Sequence, residues 1–173
     1  MSWSALSLIP VAVLIAGCAD TPVLAPANVP ASIQTPPGVA VYLKTYANGV
    51  QIYECSRKAD STYEWAFRAP QATLSDSSGR LLGKHYAGPT WEANDGSTVI
   101  GEAKARDPGP TPTAIPWLLL AAKSKSGSGT LADTKFVQRL ATVGGIAPAQ
   151  DCSEPTLKQQ VQVPYTAAYV FYR

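Results

Sequence analysis

Short runs in which apolar and polar residues alternate recur along most of the chain. One run, residues 62–68, places Tyr63, Trp65 and Phe67 on one face and Thr, Glu, Ala and Arg on the other. In a second run, residues 166–172, the same period of two sets Ala167, Tyr169 and Phe171 against Ala168, Val170 and Tyr172. A period of two indicates an extended strand, because successive side chains of a strand point to opposite faces. The pattern therefore predicts β-strands.

Residues that favour turns separate these runs. Asn48-Gly49 and Asn94-Asp95-Gly96 are strong signals for tight hairpins, so we expect a strand on each side of both. Residues 107–116 contain four prolines and predict an extended loop. Residues 133–142 fit either a helix or a strand, and their Thr and Val content without capping residues favours a strand. The other predicted strands are 39–46, 50–55, 62–68, 72–74, 80–82, 89–93, 97–105, 117–123 and 166–172.

Frequent short strands punctuated by Gly and Pro predict an all-β fold. The pattern leaves two architectures open, a single antiparallel sandwich and a small closed barrel. We expect this domain to occupy residues 33–173, a length that is sufficient for one hydrophobic core.

The N-terminal residues carry a targeting signal. Residues 4–16 are apolar or small and uncharged, and they lead into Leu14-Ile15-Ala16-Gly17-Cys18. The run is too short to span a hydrocarbon core of about 30 Å, but it fits the apolar region of a secretory signal. Its end resembles a bacterial lipobox, which predicts a signal peptide over residues 1–17 and a lipid on Cys18. No Lys or Arg precedes the apolar run, which departs from the usual pattern of such signals. The alternative is a buried N-terminal helix with an incidental cysteine.

A lipidated Cys18 predicts an anchored protein of the bacterial cell envelope whose partner is the lipid bilayer. Each buried CH₂ of an acyl chain contributes about 0.8 kcal/mol, so two or three chains give stable attachment. Alanine at position 19, where aspartate would favour the inner membrane, points to the outer membrane, with the domain facing the periplasm or the cell exterior. Prolines among small residues predict an extended tether over residues 18–32.

The net charge and the cysteine content indicate which partners and which cellular compartment to expect. The net charge of +2 is too near neutrality to indicate nucleic acid as a partner. Use of Cys18 for lipid leaves Cys55 and Cys152, a pair that predicts a disulfide in an oxidising compartment. Two free buried thiols are the alternative.

The candidate chemistry centres on His85, the single histidine of the chain. His85 is a candidate general base near neutral pH, with Glu92 or Asp95 to orient it and Arg106 as a further catalytic candidate. In the alternative interpretation, His85 is a hydrogen-bonded strand residue beside aromatic core residues. We favour this second interpretation, because no other catalytic motif supports the first.

Three aromatic residues, Tyr86, Trp91 and Trp117, are candidates for a binding surface. A single histidine and a predicted cysteine pair leave only carboxylates as ligands, so we expect no metal site. The sequence has neither a phosphate-binding glycine loop nor a serine-centred nucleophile elbow, and no cofactor is expected.

Six motifs occur together in the order of a known family: VQIYEC at 50–55, HYAGPTWE at 85–92, DGS at 95–97, IPWLL at 115–119, QRL at 138–140, and GG at 144–145 followed by Cys152. In these motifs the chain resembles the domain of unknown function 3455, a family of secreted bacterial and fungal proteins, over about residues 30–173. The resemblance implies secretion and a pair of cysteines, Cys55 and Cys152, that can form a disulfide. It implies no established activity, so no catalytic residues are carried over.

The sequence therefore predicts a membrane-anchored envelope lipoprotein whose domain binds an envelope ligand or protein, or has a structural role, without catalysis. The alternative is a small hydrolase- or isomerase-type enzyme that uses His85 with a nearby carboxylate. The surroundings of His85 distinguish the two, since the enzyme requires a cavity beside the ring and a carboxylate within hydrogen-bonding distance.

Overall fold

The computed structural model describes residues 25–173 of the chain. Its eight antiparallel strands form one sheet, and the last strand pairs with the first to close a barrel. The strands are β1 (Val41–Arg57), β2 (Tyr63–Ser75), β3 (Leu81–Tyr86), β4 (Thr90–Ala93), β5 (Thr98–Asp107), β6 (Trp117–Ser126), β7 (Phe136–Gly144) and β8 (Gln160–Tyr172). The all-β prediction is confirmed, and the closed barrel is the architecture that the chain adopts.

The predicted signal segment and the lipidation site at Cys18 lie outside the described residues. Within residues 25–173, two 3₁₀ turns, Ala31–Ile33 and Glu154–Thr156, accompany the strands. No helix in this part of the chain is long and apolar enough to cross a membrane.

Strand β8 is buried on both of its faces. Tyr169 and Phe171 point into the barrel and join the interior core, while Val170 and Tyr172 pack in a second apolar cluster on the outer surface. Ile33 belongs to that outer cluster and is fully buried, and its carbonyl accepts a hydrogen bond of 2.7 Å from the Gln138 amide. The chain before β1 therefore covers the outside of the barrel beside β7 and β8.

The predicted hairpin at Asn48-Gly49 is wrong. Both residues lie in the middle of β1, which continues without a turn and pairs with β2 on one side and β8 on the other. A Cβ atom at position 49 would come within 2.1 Å of the Gln71 carbonyl oxygen and 2.5 Å of the Ala72 Cα. Glycine is therefore used here for the close approach of two strands, not for a turn.

Two predicted strands, 62–68 and 72–74, are parts of a single strand, β2. Pro70 lies between them and lacks the N–H group that a ladder hydrogen bond needs. β2 accommodates it because β3 pairs with β2 only from Ala72 to Ser75, so one side of the strand has no partner at Pro70.

Other turn and strand predictions are confirmed. The hairpin at 94–96 joins β4 to β5, and the Ala93 amide donates to the Ser97 carbonyl at 2.9 Å. The ambiguous segment 133–142 contains most of β7. The disulfide prediction is also confirmed, because Cys55 near the end of β1 is bonded to Cys152 in the segment between β7 and β8.

Candidate functional site

The wall of the barrel is interrupted between β2 and β5. The two strands that separate them are short: β3 reaches only Ala72 along β2, and β4 pairs with β5 only as far as Ile100. Within residues 25–173, no strand pairs with residues 63–69 of β2 on that side, or with residues 102–107 of β5. These two strand edges therefore flank an opening in the side of the barrel.

A cavity of about 330 Å³ leads from this opening to the barrel interior. Phe67 lies at its rim on β2, and Ala103 lies there on β5. The Phe67 ring packs edge-on against Tyr53 with ring centres 5.7 Å apart, yet 51% of the residue is exposed. Phe67 lies on the inward face of β2 but stays exposed, because no strand pairs with this part of β2 on the side of the opening and Ala103 is too small to cover the ring.

Three side-chain rings in mutual contact form the inner end of the cavity. His85 on β3 and Trp91 on β4 are register partners, and their rings stack with centres 4.6 Å apart. Tyr169 on β8 packs edge-on against both, at 4.9 Å from His85 and 5.3 Å from Trp91. All three residues are buried, and the Trp91 Nε1–H group has no hydrogen-bond partner among the described residues.

The His85 ring is held as a neutral imidazole. Its Nδ1 lies 2.8 Å from the Thr90 carbonyl oxygen, which can only accept, so Nδ1 carries the proton and Nε2 is left as an acceptor. The pKa of His85 is lowered to about 3, mainly by burial and in smaller part by the positive charge of Arg139, while the hydrogen bond to the Thr90 carbonyl partly opposes this shift. The side chain is therefore uncharged at neutral pH.

Arg139 on β7 places a cation at the cavity. It lies directly across from Tyr169 on β8 and Leu118 on β6 in the strand register. Its Nε and Nη2 atoms donate to the Pro116 carbonyl at 3.0 and 2.8 Å. Burial lowers the pKa of Arg139, but a guanidinium stays protonated in proteins. No salt bridge within residues 25–173 involves this side chain.

Two tyrosines near Arg139 remain neutral. The Tyr165 and Tyr169 hydroxyl oxygens are 3.4 Å apart in the buried interior. Burial raises the pKa of both phenols, so neither supplies a negative charge to balance the guanidinium at neutral pH.

The carboxylate of Glu92 lies on the outer surface of the barrel, away from His85. It accepts a hydrogen bond of 2.8 Å from the Tyr86 hydroxyl and forms a salt bridge of 3.1 Å with Lys84. These two contacts lower the pKa of Glu92. The alternation of β4 explains the separation, since Trp91 points inward and the next residue points outward.

Asp95 belongs to the hairpin between β4 and β5. Its carboxylate accepts hydrogen bonds from the backbone amides of Ser97 and Thr130, at 2.9 and 2.7 Å, and from both hydroxyls. The hydroxyl of Ser97 and then that of Thr130 lower the pKa of Asp95 most strongly. Arg106 is exposed on β5. The structure does not bring either residue to His85.

Of the three aromatic candidates for binding, Trp91 is the one that lines the cavity. Tyr86 lies on the outer surface, where the Lys84 ammonium is 5.6 Å from its ring centre. Trp117 packs against the outer apolar cluster and Gly109. In the part of the chain that the structure describes, no group of three or more His, Cys, Asp or Glu residues is placed to hold a metal ion.

Sequence reasoning missed Arg139 and Tyr169 as site residues. The period of two was the available signal, because it places Arg139 on the same face of its strand as Val137, a core residue. A charged side chain on a core face is uncommon and marks a position to examine. The contact between Arg139 and Tyr169, however, depends on which strands are neighbours, and the alternation of apolar and polar residues does not specify this.

The fold and the cavity define an all-β protein of the closed-barrel class with a side opening to a cavity of ligand size. The chain belongs to a family described as a protein of unknown function (DUF3455), whose sequence profile matches residues 36–173. The match confirms the resemblance seen in the six motifs. Neither a curated protein nor a solved structure matches the chain.

Proposed function

We propose that this protein is a membrane-anchored envelope lipoprotein whose barrel binds a small, largely apolar molecule without transforming it. The observation that carries the proposal is the cavity between β2 and β5. Its volume of about 330 Å³ falls within the range of about 300–1,000 Å³ that ligand pockets occupy. Its lining is mainly apolar and aromatic, with few polar groups, which is the usual composition of such pockets.

Binding is favoured over catalysis by the surroundings of His85. A histidine general base is normally oriented by a carboxylate and has a pKa near the working pH. Here Nδ1 is bonded to the Thr90 carbonyl, the pKa is about 3, and no Asp or Glu is among the described residues that line the cavity. The ring serves better as part of a rigid aromatic surface against which a ligand packs.

The membrane anchor is proposed from the lipobox that ends at Cys18. The proline-containing tether supports the same arrangement, because it would hold the barrel off the bilayer. A protein held at a membrane is close to a source of apolar molecules.

The binding proposal is tested by titrating the barrel with 1-octanol, a neutral chain of suitable size, in a calorimeter. Saturable binding at one site is expected. Ala103→Trp should abolish it, because the indole would fill the mouth of the cavity from an exposed position on β5. Lys104→Trp is the matched control, since Lys104 is exposed on the same strand and does not line the cavity.

The control variant should bind octanol as the native protein does, and both variants should keep the native circular dichroism spectrum. Binding that survives in Ala103→Trp would place the octanol elsewhere and contradict the proposal. An absence of binding to the native barrel would also contradict it.

A further inference from the structure

We infer that the ligand of this cavity carries one negative charge and that the Arg139 guanidinium binds it. The inference rests on the proposed function, because it names the class of ligand that the same cavity takes. It is an amphiphile with a single anionic group and an apolar body of moderate size.

The charges around the cavity support an anion. Two arginines, Arg68 and Arg139, are among the lining residues, and no carboxylate is among those that the structure describes. Arg68 lies on the exposed rim and is already paired with Glu54 at 2.7 Å. Arg139 lies deeper and has no such partner within residues 25–173. A charge removed from water without a counterion is costly, and an anionic ligand would offset that cost.

The hydrogen bonds of Arg139 leave donors free for a ligand. A guanidinium has five N–H groups, and the bonds to the Pro116 carbonyl use one on Nε and one on Nη2. A third can be donated to the Tyr169 hydroxyl, which leaves two for a ligand. These bonds fix the orientation of the planar group before any ligand arrives. A second donor without a partner is the Trp91 indole N–H in the same cavity. The cavity therefore offers hydrogen-bond donors that the described residues do not satisfy.

The remaining surface fits an apolar body. Leu118 and Leu120 on β6 and Pro70 and Pro89 line the cavity beside the aromatic rings. A single deep cation balances a single negative charge. A monoanion with a short aliphatic or aromatic body matches both the charge and the volume of about 330 Å³.

The test compares octanoate with 1-octanol at pH 7.5, because the two share a chain length and differ in charge. The native barrel is expected to bind octanoate at least tenfold more tightly. Arg139→Gln should remove this preference by weakening octanoate binding while the Kd for octanol changes less than threefold. Arg106→Gln is the matched control and should keep the preference, because Arg106 is exposed on β5 and does not line the cavity.

A second measurement needs no variant. In native protein labelled with ¹⁵N, the Arg139 Nε–H resonance should shift as octanoate is added and should shift less with octanol. This NMR titration tests the inference even if Arg139→Gln fails to fold, which could happen because Arg139 also binds the Pro116 carbonyl.

The possible results separate the two claims. Equal affinity for octanoate and octanol in the native protein would overturn the anionic ligand and leave the binding function intact. A preference that persists in folded Arg139→Gln, or an Arg139 resonance that octanoate does not move, would also overturn the inference. Binding of neither compound would overturn the inference and the proposed function together.

Discussion

At the scale of single residues, His85 is a base that the barrel keeps uncharged. Its pKa of about 3 in the folded chain lies below the ordinary value of 6.5, which applies when the chain is unfolded. Between these values the unfolded chain binds more protons than the folded one. Lowering the pH through this window therefore lowers the free energy of unfolding. Above about pH 7, the contribution of His85 to that free energy is complete and no longer changes with pH.

The expected consequence is a loss of about 2 kcal/mol in the free energy of unfolding between pH 7 and pH 5. Urea unfolding at several pH values measures it. His85→Asn is the comparison, because the Asn amide can replace the Nδ1–H donor to the Thr90 carbonyl and does not titrate. Most of the pH dependence above pH 5 should vanish in this variant, since His85 is the only histidine. A variant with the native slope would contradict the assignment.

The residues of the site were only partly predictable. The motif at 85–92 places His85, Trp91 and Glu92 close together in sequence, and the first two do meet in the cavity. Glu92 does not lie at the cavity, because it follows the inward-pointing Trp91 on β4 and its side chain therefore points outward. Arg139 lies 54 positions after His85, and only the closure of the barrel brings both to one cavity.

At the scale of elements, β1 depends on glycine at position 49. Gly49→Ala would press a methyl group into the backbone of β2, where the nearest atom is 2.1 Å from the added carbon. Overpacking of this kind costs about 1–3 kcal/mol, and contact with backbone atoms allows little relief. Chemical denaturation should show a destabilisation at the upper end of that range.

Asn48→Ala provides the control for this substitution. Asn48 is exposed in the same strand, so its side chain should contribute less than about 0.5 kcal/mol. If Asn48-Gly49 formed a tight hairpin instead, replacing Asn48 would cost stability as well. Equal losses from the two substitutions would therefore argue against the continuous strand.

The strands differ in how well their sequences predict them. The C-terminal half of β8 is rich in aromatic and β-branched residues, which favour a strand, and it is apolar on both faces because both are buried. Asn48-Gly49 has the local chemistry of a turn, and tertiary contacts with β2 and β8 override that preference. Asn94-Asp95-Gly96 has the same chemistry and does form a turn, stabilised by the Asp95 carboxylate. Local sequence alone does not separate the two outcomes.

At the scale of the whole molecule, the all-β class, the disulfide and the positions of most strands follow from the sequence. The opening between β2 and β5 does not, because it arises from the short pairing of β3 and β4 with their long neighbours. Such a mismatch depends on register, which turn signals and alternation leave unspecified. The cavity therefore could not be predicted from the sequence, although two residues that line it, His85 and Trp91, were candidates.

The membrane anchor is also a property of the whole molecule. Cells that express the native protein should incorporate radioactive palmitate into it, and Cys18→Ala should abolish the label because the acceptor thiol is absent. Cys152→Ala is a control, since that sulfur forms the disulfide and should not affect the labelling. Unchanged labelling of Cys18→Ala would overturn the anchor and leave the cavity proposal untouched.

The central claim is that the cavity between β2 and β5 takes up a small apolar molecule. Its most direct test follows the indole N–H resonances of ¹⁵N-labelled protein during titration with 1-octanol. The Trp91 signal should move and saturate, because its Nε1–H lacks a partner and the ring lines the cavity. The Trp65 signal should stay in place, because that indole donates to the Gln150 carbonyl at 2.8 Å. A Trp91 signal that remains fixed up to the solubility limit of octanol would contradict the account.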